Sequence, residues 1–186
     1  MKIAKIVFLI LGTLLLIFFL VYGYYGGFYP VTPKIQQEGG ETLVYEKMRG
    51  DYAQSPKVSD NVYNTLLREH NITTTRGFGI YYDSPESTDK DELRADVGCI
   101  LETDFDKLEN LKSQFEIMEY PKDNYLVAEF PFKGMPSVII GIMKVYPALN
   151  TYLEENGYSA DTPVMEIWDL SNNMIHYRRE LRRTDE

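Results

Sequence analysis

The chain has 186 residues, with 19 Lys or Arg against 28 Asp or Glu, for a net charge of −9 at neutral pH. With Lys2, Lys5 and Lys34 of the opening stretch set aside, 16 basic residues face 28 acids, a balance of −12 that argues against binding nucleic acid or anionic lipid. A single cysteine, Cys99, excludes an internal disulfide and a cysteine-built zinc site, and the distant His70 and His176 argue against a histidine-built one. No metal or cofactor is expected. With 15 Tyr among 25 aromatics, composition favours an anchored binding domain over a metalloenzyme.

No charged residue lies between Ile6 and Pro33, and Ile6 to Tyr25 supplies twenty residues dominated by Leu, Ile, Phe and Val. That length spans a bilayer core as a helix. A cleaved signal peptide would have a shorter apolar core ending at small residues, whereas Tyr22, Tyr24, Tyr25, Phe28 and Tyr29 follow here like an interfacial aromatic belt. Residues 1–29 therefore read as an uncleaved single-pass anchor that meets the membrane through residues 6–25. Lys2 and Lys5 precede the span and only Lys34 follows soon after it, which predicts a cytoplasmic N-terminus and an extracytoplasmic domain. Residues 30–41, with Pro30, Pro33 and Gly39-Gly40, read as a linker, and residues 42–186 as a ligand-binding domain.

Beyond the linker the pattern predicts a duplicated strand–helix–strand–strand unit of α+β class. Leu43 to Met48 is strand-like, Gly50 breaks it, a helix carries Val58, Val62, Leu66 and Leu67 on one side, and Arg76–Asp83 and Arg94–Leu101 are strands. The polar stretch from Ser84 to Glu92 reads as a loop between them. The second half repeats the order with Tyr125–Phe132, Gly134, a helix over Ser137–Glu155, and strands over Pro163–Asp169 and Met174–Leu181. Gly50 matches Gly134 at an offset of 84, Val62-Tyr63-x-x-Leu66 matches Val145-Tyr146-x-x-Leu149 at 83, and Ile80 matches Ile167 at 87. Pro147 predicts a kink or boundary in the second helix. Between the halves, Asp104 to Lys112 reads as a helical turn with Asp104 or Asp106 as cap, and Gln114 to Tyr120 as an additional strand.

Strand alternation points to a site. In Val164-Met165-Glu166-Ile167-Trp168-Asp169, Glu166 and Trp168 share a face opposite Met165 and Ile167. Ile80 is the counterpart of Ile167, so Gly79 and Tyr81 take the places of Glu166 and Trp168. Both isoleucines are expected in the core beneath the two helices, with Tyr81, Trp168 and Glu166 lining a cleft about a pseudo-twofold axis. A carboxylate among aromatic rings suits an organic cation, and its desolvation raises its pKa. The same pattern also fits an edge-strand glutamate in water beside a packed tryptophan.

The segments Gly79-Ile80-Tyr81-Tyr82-Asp83-Ser84-Pro85, Arg94-Ala95-Asp96-Val97-Gly98, Gly157-Tyr158 and Pro163 to Asp169 resemble the gyrase-inhibitor-like small-molecule-binding domain, which is also the effector-binding half of multidrug-sensing transcription activators. The resemblance covers Glu41 to Leu181. It implies two tandem units giving an eight-stranded antiparallel sheet with two main helices and a central ligand groove. The family's pocket glutamate corresponds to Glu166, and the Gly50-Asp51-Tyr52 stretch matches a family Gly-x-Tyr pattern, placing Tyr52 at the groove mouth. Where family members carry a second acid in the last strand, this chain has Ile175-His176-Tyr177-Arg178-Arg179. Arg178, Arg179, Arg182 and Arg183 read as a solvated strand end, with contact to an anion as the alternative. A span directly before the domain resembles a membrane-anchored member of the same family. The sequence presents no helix-turn-helix ahead of the domain and ends five residues after its last strand, so neither a DNA-binding role nor one carried by a long tail is expected.

The resulting expectation is a membrane-anchored module for a small, aromatic or cationic organic ligand, with Glu166, Trp168, Tyr81 and Tyr52 as ligand-binding residues and no protein partner specified. Two alternatives stand beside it: a hydrolase of strained electrophilic molecules with Glu166 as general base, and a structural or adaptor protein of a membrane complex.

Overall fold

A computed structural model describes residues 2–101 and 108–184. Helix α1 covers Lys2–Tyr24, and its stretch Ile3–Tyr24, with mean hydropathy 2.8, is long and apolar enough to cross a membrane. None of that stretch is buried by the rest of the chain.

Eight strands form one antiparallel sheet: β1 (Lys34–Glu38), β2 (Thr42–Arg49), β3 (Arg76–Tyr81), β4 (Arg94–Leu101), β5 (Glu116–Glu119), β6 (Asp123–Pro131), β7 (Val164–Asp169) and β8 (Met174–Glu180), in the spatial order β1-β6-β8-β7-β3-β4-β2-β5. The order reads symmetrically outward from the β7–β3 pair, as duplication requires. Each half borrows its outermost strand from the other: β1 precedes the first unit but pairs with β6, and β5 precedes the second but pairs with β2. The segment 30–41, expected to link anchor and domain, thus also contributes a strand. The additional strand expected near Gln114–Tyr120 is β5. Asp104 and Asp106 lie outside the described residues, and the short helix α3 (Leu108–Leu111) follows them.

Two longer helices connect the strands on one side of the sheet, α2 (Ser55–His70) and α4 (Met135–Glu155). Both start after a glycine in the left-handed region, Gly50 (φ 116°) and Gly134 (φ 98°), which a side chain would strain. Both have a proline in the first turn, where no N–H is missed. Asn71 closes α2 with left-handed φ of 55°. Pro147 does not end α4, which runs through it on an exposed side to Glu155.

The sheet has a core on each face. On the helix side, Val62 and Leu66 of α2 pack with Val44, Cys99 and Leu101, while Val145, Leu149 and Leu153 of α4 pack with Leu126, Ala128, Phe130, Ile175 and Tyr177. On the other face, Leu43, Tyr45, Phe78, Ile80, Ile100, Tyr120, Tyr125, Val127, Met165 and Ile167 form a separate cluster. Ile80 and Ile167 are core residues, but they face away from the helices, contrary to expectation. The sheet curls enough to bury its second face on itself, aided by contacts between the two strand crossings, where Gly40 N–H donates to Tyr120 O at 2.7 Å and Tyr120 N–H to Glu41 O at 2.8 Å. A sequence pattern gives the face of a residue, not which face the helices cover.

Candidate functional site

Gly79 of β3 pairs directly with Glu166 of β7. These two are also equivalents at the offset of 87 that relates Ile80 to Ile167, so the pseudo-twofold axis passes between them. Glu166 therefore sits at the centre of the molecule, and its counterpart has no side chain. The vacated space is used: a Cβ on Gly79 would lie 2.8 Å from the ring and hydroxyl of Tyr81, which folds back over it. The β3 register is unbroken from Gly77 to Tyr81 against β4 and to β7, so Tyr81 shares the face of Glu166. Tyr82 turns the other way, donating to Asp96 Oδ2 at 2.7 Å.

Trp168, the counterpart of Tyr81, lies across the axis from it and packs, half-buried, against the α4 cluster. Tyr52, in the short turn Tyr52–Gln54 before α2, sets its ring edge-to-face on Tyr81 with centroids 4.7 Å apart. Its hydroxyl accepts from Asp83 N–H at 3.1 Å and lies 2.9 Å from the Arg94 carbonyl, which fixes it to the β3–β4 connection. The four residues expected from the sequence thus all fall on the helix side of the sheet, with Tyr81 and Trp168 flanking Glu166 and Tyr52 backing Tyr81.

Two further residues complete the surroundings of Glu166. Tyr146, reaching in from α4, donates its hydroxyl to Glu166 Oε1 at 2.8 Å. Tyr177, paired with Glu166 across β8, places its ring edge-on to Tyr146 at 6.0 Å. Its hydroxyl is buried without a hydrogen-bond partner among the described residues. Sequence reasoning missed both, although signals existed: Tyr146 belongs to the repeated Val-Tyr-x-x-Leu element, and alternation in β8 places Tyr177 with Ile175 and Arg179.

Glu166 is 4% exposed. Burial raises its pKa to about 7, and the Tyr146 hydrogen bond only partly counters this. Burial, and then the Glu166 charge, hold the phenols of Tyr81, Tyr146 and Tyr177 well above their usual range, so they act as neutral rings and donors. Arg179 shares this face but is committed elsewhere, to Asn150 Oδ1, the Ala160 carbonyl and, at 2.7 Å, the Thr162 carbonyl. The arrangement offers a carboxylate that titrates near neutrality, ringed by aromatic groups, with its neighbouring guanidinium turned away.

Of the four arginines read as a solvated strand end, Arg182 and Arg183 beyond β8 are exposed, but the two within β8 are not. Arg178 and Arg179 are each 6% exposed. On the face opposite Glu166, Arg178 donates to Glu38 at 2.7 Å and to Glu41 at 2.8 Å. Its position beside acids supplied by the β1–β2 crossing could not be read from the local sequence.

The family model of the GyrI-like small molecule binding domain matches residues 32–173. Testis-expressed protein 264 of Homo sapiens is 32% identical over 115 residues, and so is its homolog in Mus musculus. The match covers 58% of this chain and 36% of each relative, so the chain spans about a third of the length of these curated proteins. Among solved structures, the C-terminal domain of EcmrR superposes with a TM-score of 0.59 at 14% identity, covering 83% of this chain and 99% of that one. SAV2435 bound to tetraphenylphosphonium superposes with a TM-score of 0.51 at 11% identity, covering 81% and 94%. Identities this low show a shared fold. With the family model spanning most of the sequence and the duplicated sheet in place, the chain belongs to the family of GyrI-like small molecule binding domains.

Proposed function

We propose that this protein is a membrane-anchored module that binds small organic molecules, with a preference for aromatic cations. The observation that carries this reading is Glu166, buried on the pseudo-twofold axis with a pKa near 7 and aromatic rings around it. In this reading Glu166 provides the charge, while Tyr81, Trp168 and Tyr52 provide ring faces and edges that attract a cation. Support comes from SAV2435, a protein of similar fold bound to tetraphenylphosphonium, itself an aromatic cation. A bound cation favours the ionised carboxylate, so uptake below pH 7 releases a proton.

Calorimetric titration of the detergent-solubilised chain with tetraphenylphosphonium tests this. Affinity is expected to rise about tenfold or more between pH 5.5 and 8 as Glu166 ionises. Glu166→Gln should weaken binding by about 1–3 kcal/mol and flatten the pH dependence. Unchanged affinity in Glu166→Gln would remove the role assigned to the carboxylate. A second reading, hydrolysis of a strained electrophile, is favoured by the same pKa, which suits a general base. Turnover of a cyclopropane-bearing substrate that is lost in Glu166→Gln would establish it in place of simple binding.

The anchor in this proposal is α1, with its N-terminus in the cytoplasm, a reading supported by Lys2 and Lys5 in its first turns. Protease added to intact cells is expected to digest the domain. Protection until the membrane is breached would reverse the orientation.

A further inference from the structure

The first half of α4 carries apolar side chains that none of the described residues covers. Met135 is 64% exposed, Ile139 56%, Ile142 44% and Met143 72%. Their spacing puts them on one side of the helix, opposite the buried Ser137 and Gly141, so they form a ridge and not isolated exposed residues. The ridge begins where α1 ends. Lys133, just before α4, holds its ammonium 4.7 Å from the ring centre of Tyr24, the last residue of α1. One turn beyond Ile140, Lys144 donates to the carbonyls of Gly27 at 2.7 Å and Tyr29 at 2.6 Å, fastening the segment that follows α1 along α4. Phe28 in that segment is itself 66% exposed.

We propose that the ridge of α4 lies on the lipid bilayer, so that the domain rests on the membrane surface and does not swing freely on its anchor. This rests on the reading of α1 as a membrane anchor. Continuity selects the occupant: the two lysine contacts leave no slack between the end of the span and the start of α4, and the stretch from Met135 to Met143 rises only about 12 Å. An amphipathic helix with one apolar side held at that position meets the headgroup region. The lipid is zwitterionic, because a domain with a balance of −12 is repelled by an anionic surface. Ile142 stands one turn before Tyr146, so the ridge leads from the bilayer towards the side chain that holds Glu166.

The test places an environment-sensitive label on single introduced cysteines in the full chain, reconstituted in phosphatidylcholine vesicles that carry a nitroxide at the headgroup or upper acyl chain. The positions are Ile139→Cys on the ridge, Leu11→Cys within α1, and Lys47→Cys on the opposite sheet face. The native Cys99 is buried, with its thiol pKa pushed up to about 12, and does not compete for label. Labels at 139 and 11 are expected to lose most of their emission to the nitroxide lipids, and the label at 47 to keep it. Quenching at 11 with emission at 139 equal to that at 47 overturns the docking and leaves the anchor intact. A label at 139 shielded from aqueous iodide yet untouched by nitroxide lipid means that a protein surface covers the ridge, and also overturns it. No quenching at 11 removes the anchor and the docking together.

Discussion

Glu166 sets its own energetic terms. In an unfolded chain it would titrate near 4.5, whereas burial in the fold raises it to about 7. Between those values the native state binds more protons than the unfolded one, so stability falls as pH rises, and the full penalty is present above pH 7. A shift of this size corresponds to about 3 kcal/mol as an upper bound. Glu166→Gln keeps an acceptor for the Tyr146 hydroxyl but removes the titration. Urea unfolding of the solubilised chain should therefore show the variant more stable than the parent at pH 8 by up to about 3 kcal/mol, with little difference at pH 4. A variant less stable than the parent at pH 8 would make Glu166 a structural group. Gain in stability with loss of ligand would mark a side chain retained at a cost to the fold.

The contact between α4 and β8 depends on an absent side chain. A Cβ on Gly141 would lie 2.8 Å from the Tyr177 hydroxyl and 3.1 Å from the Phe130 ring. Gly141→Ala should therefore destabilise the domain by about 1–3 kcal/mol despite the better helix propensity of alanine. Tyr177→Phe removes a buried hydroxyl that has no partner, and alone should be neutral or stabilising. Combined with Gly141→Ala it should recover part of the loss, with Phe130 accounting for the remainder, and a thermal-denaturation double-mutant cycle measures this coupling. Strict additivity would mean that the helix relaxes elsewhere. How legible each element was follows from its burial. Strands β3 and β7 alternate because each of their faces meets a different environment, and α2 is amphipathic because one side is wet. Strand β1, Lys-Ile-Gln-Gln-Glu at the sheet edge, has too little apolar content to announce itself. Tyr146 was hidden because Pro147 obscured the helical pattern on which it sits.

Duplication gave the molecule two half-sheets, and two features keep the halves together without making them identical. One is the axis itself, where Glu166 faces Gly79, so a symmetric scaffold carries a single carboxylate at its centre. The general outline was legible in the repeat offsets; the exchange of β1 and β5 between halves was not, because partner choice across a sheet depends on chain path and not on local pattern. The second feature is the clasp formed at that exchange. Arg178, on β8 of the second half, binds Glu38 at the end of β1 and Glu41 just before β2, with its side chain 7% exposed. Burial pushes the Glu41 carboxyl up, but the hydrogen bond and charge of Arg178, joined by a hydrogen bond from its own backbone N–H and the charge of Arg76, outweigh it and hold the pKa below the usual carboxylate value. A depressed pKa contributes stability that is present above the unfolded value and is lost as pH falls through the folded one. Arg178→Met removes the cation that bridges two carboxylates beside an apolar core, and should cost about 3–5 kcal/mol at pH 7. Arg178 holds the Glu41 carboxyl low, so acidifying until Glu41 is protonated should narrow the gap between variant and parent, because the parent loses that arm of the clasp while the variant loses its repulsion. Replacing Glu38 and Glu41 with Gln in the Arg178→Met background should recover much of the loss at pH 7. Urea midpoints of the three proteins at pH 7 and at acid pH measure this. If Arg178→Met proves neutral at pH 7, the exchanged strand is held by its backbone ladder to β6 alone, and the ion pairs do not join the halves.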